Sequence, residues 1–350
     1  MPDTVGNPLN PADPAETSRL WRDLVRRLAA LEGAPNGDLL RGLLSTVLTM
    51  SEGRADRRDL KMAHLALKEA ARAMKVFSTY RHTPKVAVFG SARTKPDESI
   101  YDMAVEFARE IAGHGFMVLT GAGGGIMEAA NRGAGREASF GLNIELPFEQ
   151  SVNRFVEGDP KLLEFRFFFT RKLFFLKETR ALALFPGGFG TLDEGFEALT
   201  LIQTGKSTPL PIVLMEREGS GYWEEWHDYL TGHLLARGLI HKNDMRLFRI
   251  CHTVEAGIAE ITGFFRVFHS AYRTHSGVTV WTWRALEEPE IDRLNDAFAD
   301  MLGGKRITQL YRPPAQLSDT EEEALSCIDV PMDHRFQGRL RQLIDAINAL

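Results

Sequence analysis

Pro186-Gly187-Gly188-Phe189-Gly190-Thr191-Leu192-Asp193-Glu194 lies between two segments of opposite character. Before it, Ala181-Leu182-Ala183-Leu184-Phe185 is a short apolar run, as expected of a strand buried on both faces. After it, Gly195 to Ile202 reads as a helix. A glycine-rich turn from strand into helix presents free backbone N–H groups at the positive end of the helix dipole, where an anion is favoured. Glu194 falls within the first helical turn. A phosphate cradle with an acid beside it points to chemistry on a phosphorylated small molecule.

The same alternation extends outwards. Lys85-Val86-Ala87-Val88-Phe89 predicts a strand ending in the turn Gly90-Ser91, followed by a helix from about Ser99 to Ala112. Gly115 to Thr120 predicts a second strand, Gly121-Ala122-Gly123-Gly124-Gly125 its turn, and Ile126 to about Gly133 a further helix. Phe140–Leu146 reads as a third strand, Leu163–Arg180 as a helix, and Pro211–Met215 as a fifth strand after the one at Ala181. Apolar strands alternating with helices imply a parallel sheet covered on both faces. The expectation is a doubly wound, Rossmann-like α/β domain over residues 84–271, with ligands beyond the carboxyl ends of its strands.

The flanks differ. Residues 1–16 are rich in Pro, Asp and Asn and are expected to be a disordered tail. Residues 17–83 predict a helical segment. Its first helix carries Leu20, Trp21, Leu24, Leu28 and Leu31, its second starts near Asp38, and its third runs from Asp59 to about Arg81. Residues 272–350 predict a small α+β extension, with a strand at Val278–Trp283 and helices at Pro289–Leu302 and Phe336–Ala349. Arg22, Arg26, Arg27, Arg54, Arg57 and Arg58 can be weighed as an anion site, but read as a solvated helix face. Trp281, Trp283, Arg335, Arg339 and Arg341 can be weighed as an effector site, but read as core and solvated face.

Composition excludes several function classes. The 350 residues carry a net charge of −5, which gives no global attraction to nucleic acid or anionic membrane. The two cysteines, Cys251 and Cys327, have neither CxxC nor Cys/His spacing, so a disulfide framework and a zinc site of that kind are not expected. No apolar stretch is long enough to span a bilayer, and Met1–Pro8 lacks a signal-peptide pattern. The expected location is the cytoplasm, and no membrane or nucleic-acid partner is expected.

Three features admit rival readings. The Gly121 turn resembles a dinucleotide fingerprint, with Glu145 near the position of a ribose-binding acid, but G-x-G-x-x-G requires glycine where Ile126 stands. A nucleotide cradle suits it better than NAD or FAD binding. Thr191-x-x-Glu194 matches a capping box, which would give Glu194 a purely structural task. Phe167-Phe168-Phe169-Thr170-Arg171-Lys172-Leu173-Phe174-Phe175 sets two cations among phenylalanines. Those rings suit a core or a subunit contact, and a buried cation there needs an anionic partner.

Taken together, these motifs resemble the LOG ("lonely guy") family. PGGFGTLDE is similar to that family's PGGxGTxxE, Arg171-Lys172 to its RK pair, and Thr120–Glu128 to its TGGGxGIME variant. The resemblance covers about Lys85 to Ile250 and implies a nucleoside 5′-monophosphate phosphoribohydrolase. Such an enzyme cleaves the N-glycosidic bond to give a free base and ribose 5-phosphate. It implies catalytic roles for Arg171 and Glu194. It also implies substrate binding by Gly90, Ser91, Gly121, Gly123, Gly124, Gly125, Glu128, Lys172, Gly187, Gly188, Gly190 and Thr191. No cofactor or metal is expected, and a homodimer or higher homo-oligomer is. Ala122 and Gly124 stand where the family usually has glycine and proline. The long flanks, absent from small cytokinin-activating members, favour a general nucleotide nucleosidase over cytokinin specificity. The alternative is a non-catalytic nucleotide or cofactor carrier of the same superfamily.

Overall fold

The computed structural model describes residues 33–146, 151–310, 325–333 and 335–350, with 19, 22, 23, 26, 27, 29 and 30. The expected tail at 1–16, and Leu20, Trp21, Leu24, Leu28 and Leu31 of the first expected helix, lie outside the described residues. The chain divides between Lys68 and Glu69 into two compact units.

In the first unit, a helix covers Gly37–Glu52 and another begins at Arg57, in agreement with the expected second and third helices. Leu39, Leu43 and Leu48 on the former are exposed. Arg22, Arg26, Arg27, Arg54, Arg57 and Arg58 are all exposed, as a solvated face requires.

The second unit is organised by β1 (Lys85–Phe89), β2 (Met117–Thr120), β3 (Ser139–Ile144), β4 (Leu162–Phe165), β5 (Ala181–Leu184), β6 (Ile212–Met215) and β7 (Arg249–Cys251). They form one sheet in the order β4-β3-β2-β1-β5-β6-β7, and every pairing is parallel. Side chains alternate across it. Ala87, Phe89, Leu119, Leu182 and Leu184 join Phe77, Phe140 and Phe174 on one face. Val86, Val88, Val118, Ala181 and Ala183 join Phe107, Ile111 and Ile258 on the other. The doubly wound α/β expectation is met.

One element differs from the sequence reading. The helix expected over Leu163–Arg180 is instead strand β4 followed by a helix at Phe168–Glu178. β4 pairs in register with β3 from Gly141↔Leu162 to Ile144↔Phe165. Leu163 and Phe165 face the core while Glu164 is exposed, a period of two that only a strand gives. The following helix starts where the Glu69 carboxylate accepts from the Arg166 N–H at 2.8 Å and from the Thr170 hydroxyl at 2.5 Å.

A second sheet, antiparallel, contains β8 (Phe268–Arg273), β9 (Gly277–Thr282), β10 (Thr308–Leu310) and β11 (Ser326–Pro331) in the order β10-β11-β9-β8. It begins at Phe268, a few residues ahead of the expected boundary at 272. Helices at Glu288–Ala297 and Gln337–Asn348 accompany it, and Val280, Ile328, Leu340 and Ile344 lie in its core. Asn348 fastens it to the preceding helix. Its side-chain oxygen accepts from the N–H groups of Val267 and Phe268 at 2.8 and 3.0 Å, and its NH₂ donates to the Phe264 carbonyl at 2.6 Å. Trp281 and Arg341 are buried. Arg335 is exposed and holds Asp333, as a surface reading requires, and Arg339 holds Asp300, whereas Arg341 is buried in pairs with Glu260 and Asp345 and Trp283 is half exposed, contrary to the solvated-face and core readings of these two.

Gly125 is fixed by sterics: its φ is +63°, and a Cβ there would strike the Ser91 carbonyl oxygen. Gly125→Ala is expected to cost about 2–3 kcal/mol, from an unfavourable backbone conformation plus overpacking. Urea denaturation compared with the parent protein measures this; a loss below about 0.5 kcal/mol, the range of a bland surface change, would contradict the packing described.

Candidate active site

Strand order reverses between β1 and β5, and a parallel sheet opens a crevice at such a point. The turns leaving these strands meet there. Ser91 N–H donates to the Pro186 carbonyl at 3.0 Å, and the Ser91 carbonyl accepts from Ile126 N–H at 3.0 Å. One residue thereby ties the turns after β1, β2 and β5 together. The cleft above them has a volume of about 730 Å³, within the range of small-molecule sites.

Of the residues expected at the site, Gly90, Ser91, Gly121, Gly123, Arg171, Gly187, Gly188, Gly190, Thr191 and Glu194 line this cleft. Gly124, Gly125, Glu128 and Lys172 do not. Glu128 is placed to act electrostatically on Tyr101 instead, and Gly125 packs under the Ser91 carbonyl. Glu145 is exposed and pairs with Arg166 at 2.8 Å, away from the cleft lining.

The β5 turn settles the capping question. The helix begins at Phe189 with Gly188 as its cap, so Thr191 is its third residue and no capping box forms. Thr191 N–H donates to the Gly188 carbonyl at 3.1 Å. No backbone bond among the described residues uses the N–H groups of Gly188, Phe189 or Gly190, which leaves these three at the helix start for an anion. Gly187 is bare because a Cβ would strike the Thr191 hydroxyl.

Arg171 reaches this crevice from the Phe168–Glu178 helix. Its Nε donates to the Leu142 carbonyl at 2.7 Å, and its guanidinium lies 5.2 Å from the Phe175 ring centre. The guanidinium occupies the space that a Cβ on Gly121 would take. Burial lowers its pKa to about 10, which still leaves it charged at neutral pH, and the negative charge of Glu194 works in the opposite direction. Lys172 points elsewhere: its Nζ lies 2.7 Å from both Asp193 and Glu197, clamping this helix to the one that starts at Phe189. That bond accounts for the second acid in the motif.

Glu194 is 7% exposed. Among the described residues none donates a hydrogen bond to its carboxylate or comes within ion-pair distance, although Lys172 and Arg171 act on it through space. Burial raises its pKa to about 7, against the pull of those two cations. An acid poised at neutral pH in a cleft can hold or release a proton without leaving its place.

Three contributors escaped the sequence reading. Tyr222, far along the chain, donates its hydroxyl to the Gly187 carbonyl at 2.6 Å and braces the β5 turn. Asn153 donates from its NH₂ to the Gly123 carbonyl and to the Asn131 side chain, both at 3.0 Å, and Thr120 donates to the same Asn131 oxygen at 2.7 Å. This buried network holds the β2 turn, where Ala122 carries a φ of +63°. Arg93 lines the cleft two residues beyond Ser91. Only Arg93 had a local signal, as a cation just after the first strand's turn.

Residues 124–261 match the family model described as "Possible lysine decarboxylase". These residues are thus similar to the LOG family. The LOG-family match includes Arg171, Glu194 and the β5 turn, whereas Gly90, Ser91, Gly121 and Gly123 precede it. No curated protein matches the chain. Among solved structures, TM1055 is 24% identical, with a TM-score of 0.37 over 51% of this chain and 98% of its own. The molybdenum cofactor carrier protein of Chlamydomonas reinhardtii is 23% identical, with a TM-score of 0.35 over 52% of this chain and 97% of its own. The molybdenum cofactor binding protein of Rippkaea orientalis is 21% identical, with a TM-score of 0.36 over 52% and 96%. No helix among the described residues is long and apolar enough to cross a membrane.

The Glu194 shift has a sign that stability measurements read. Its pKa is raised from 4.5 to about 7, so the folded state holds the proton more tightly than the unfolded one. Below pH 4.5 the group is neutral in both states; as pH rises through 7 the folded state loses on the order of 3 kcal/mol. Glu194→Gln is therefore expected to be more stable than the parent at pH 8 and closer to it at pH 5. Equal differences in denaturation free energy at both pH values would refute a buried, uncompensated acid.

Proposed function

We propose that this protein hydrolyses the N-glycosidic bond of nucleoside 5′-monophosphates of the AMP type, releasing free base and ribose 5-phosphate. The observation that carries this reading is Glu194, buried and without a hydrogen-bond donor among the described residues, near the start of a helix whose opening N–H groups none of those residues' backbones engage. The 5′-phosphate docks on the N–H groups of Gly188, Phe189 and Gly190 and on the helix dipole. Anchoring there places ribose C1′ over Glu194. Departure of the base builds positive charge on C1′ and the ring oxygen, which the Glu194 carboxylate stabilises. The same carboxylate orients the water that attacks C1′ and takes its proton, which then passes to the departing base nitrogen that carries off the glycosidic electron pair, so that free base and ribose 5-phosphate leave. Arg171 lies across the crevice, fixed by Leu142, where it holds a ribose hydroxyl or polarises the leaving base.

The decarboxylase description does not suit the residues. Pyridoxal phosphate needs a lysine for its Schiff base, and no lysine lines the cleft among the described residues. Lys172 is engaged by Asp193 and Glu197. A carrier that binds a nucleotide without turnover would use the same turns, but has no need of an acid held near pH 7.

Chromatography of AMP incubations is expected to show free adenine. Glu194→Gln should lower kcat by about 10³-fold or more with little change in nucleotide affinity. The parental kcat/KM should rise with pH through an apparent pKa near 7, since the carboxylate is the active form. Tight AMP binding with no adenine released by the parent protein would favour the carrier.

We also propose that the protein is a cytoplasmic homodimer. Cys251 is buried and forms no disulfide, in keeping with a reducing compartment. Phe168, Phe169 and Leu173 are more than half exposed along one helix, a patch suited to self-association. Light scattering should give a dimer for the parent and a monomer for Phe169→Asp combined with Leu173→Asp. A monomeric parent protein would end this part of the proposal.

A further inference from the structure

Away from the cleft, three side chains converge at the carboxyl ends of β6 and β7. Glu216 directly follows β6, His252 directly follows β7, and Glu224 comes from the first turn of the helix Tyr222–Tyr229. One donor atom from each lies within 4.8 Å of the others. Glu216 is fully buried. One of its oxygens accepts from Trp223 N–H at 3.1 Å, while the other is buried and finds no donor. Glu224 also keeps one buried oxygen without a partner, and His252 a buried Nδ1. His252 Nε2 and Glu224 Oε1 stand 3.3 Å apart. Among the described residues no lysine or arginine pairs with Glu216 or Glu224.

A buried carboxylate oxygen with neither donor nor cation is costly. Glu216 and Glu224 are close enough to share a proton, each keeps a buried oxygen without a donor, and with His252 beside them no lysine or arginine among the described residues balances the two acids. We propose that Glu216, Glu224 and His252 form a binding site for a divalent first-row transition cation, with zinc as its representative. Donors bound to one such ion at about 2.0–2.2 Å lie roughly 3–4 Å apart, so the cluster needs only small side-chain adjustments to close on it. One imidazole with two carboxylates suits zinc or manganese, whereas magnesium favours an all-oxygen shell. His252 and Glu224 are partly exposed, which gives the ion a path from solvent, and the buried Glu216 forms the floor. No sequence motif announces this site, because its ligands come from two strand ends and a helix.

The position links the site to the rest of the fold. Glu216 holds the backbone of Trp223, and the adjacent Tyr222 braces the Gly187 carbonyl. A cation here would lock the start of that helix.

Isothermal titration of zinc into the full-length, chelator-treated protein tests the proposal, with magnesium as control and thermal melts alongside. One equivalent of zinc is expected to bind and to raise Tm, since an ion that binds only the folded state stabilises it. Glu224→Gln and His252→Asn lie at the partly exposed side, so their metal-free melts and circular dichroism should match the parent. Each should bind zinc roughly tenfold more weakly or worse. Substoichiometric binding by the parent, or equal affinity in both variants, overturns the proposal. So does a parent whose Tm ignores zinc.

Discussion

Ser91 is the point on which the mouth of the sheet depends. Its N–H and carbonyl reach two different turns, and three turns are thereby held at fixed spacing. Close approach is the condition for this arrangement, and it explains the glycines better than flexibility does. A Cβ on Gly90 would meet the Ile126 side chain, one on Gly125 the Ser91 carbonyl, and one on Gly187 the Thr191 side chain. Gly188 and Gly190 have open space around them and leave the backbone accessible instead. Within one set of turns, some glycines allow packing and others allow a ligand's approach.

A similar division of labour separates the two adjacent cations. Arg171 faces inward and Lys172 faces an acidic pair on the neighbouring helix. A single helical step of about 100° turns one charge toward the chemistry and the next toward the scaffold. Glu194 is left with electrostatic neighbours but no hydrogen-bond donor among the described residues, which keeps its protonation responsive to what enters the cleft.

Much of this was legible in the sequence, because buried parallel strands are apolar and their turns are glycine-rich. The Pro186–Glu194 turn, the Gly121 turn and the place of Arg171 all follow from local pattern. The failures share a cause. β4 has four residues and runs into a phenylalanine-rich helix, so its period of two is too short to stand out. Thr191 and Glu194 satisfied the spacing of a capping box, yet the helix starts two residues before Thr191. Tyr222 and Asn153 act on backbone atoms 35 and 30 residues away, and such contacts leave no trace in neighbouring residues. Local sequence records what a segment forms, whereas buried polar bonds record which segments meet.

The Asn348 clasp imposes an order on assembly. The seven-stranded sheet is complete at Cys251, while the bonds that fasten β8 to the helix before it come from a side chain about 80 positions later. During synthesis the parallel sheet and its cleft can close while the antiparallel sheet still lacks its last strand and helix. The apolar edge of β8 and β9 must wait, uncovered, for the chain to catch up. The interval between those two events is when this protein most needs protection from its neighbours.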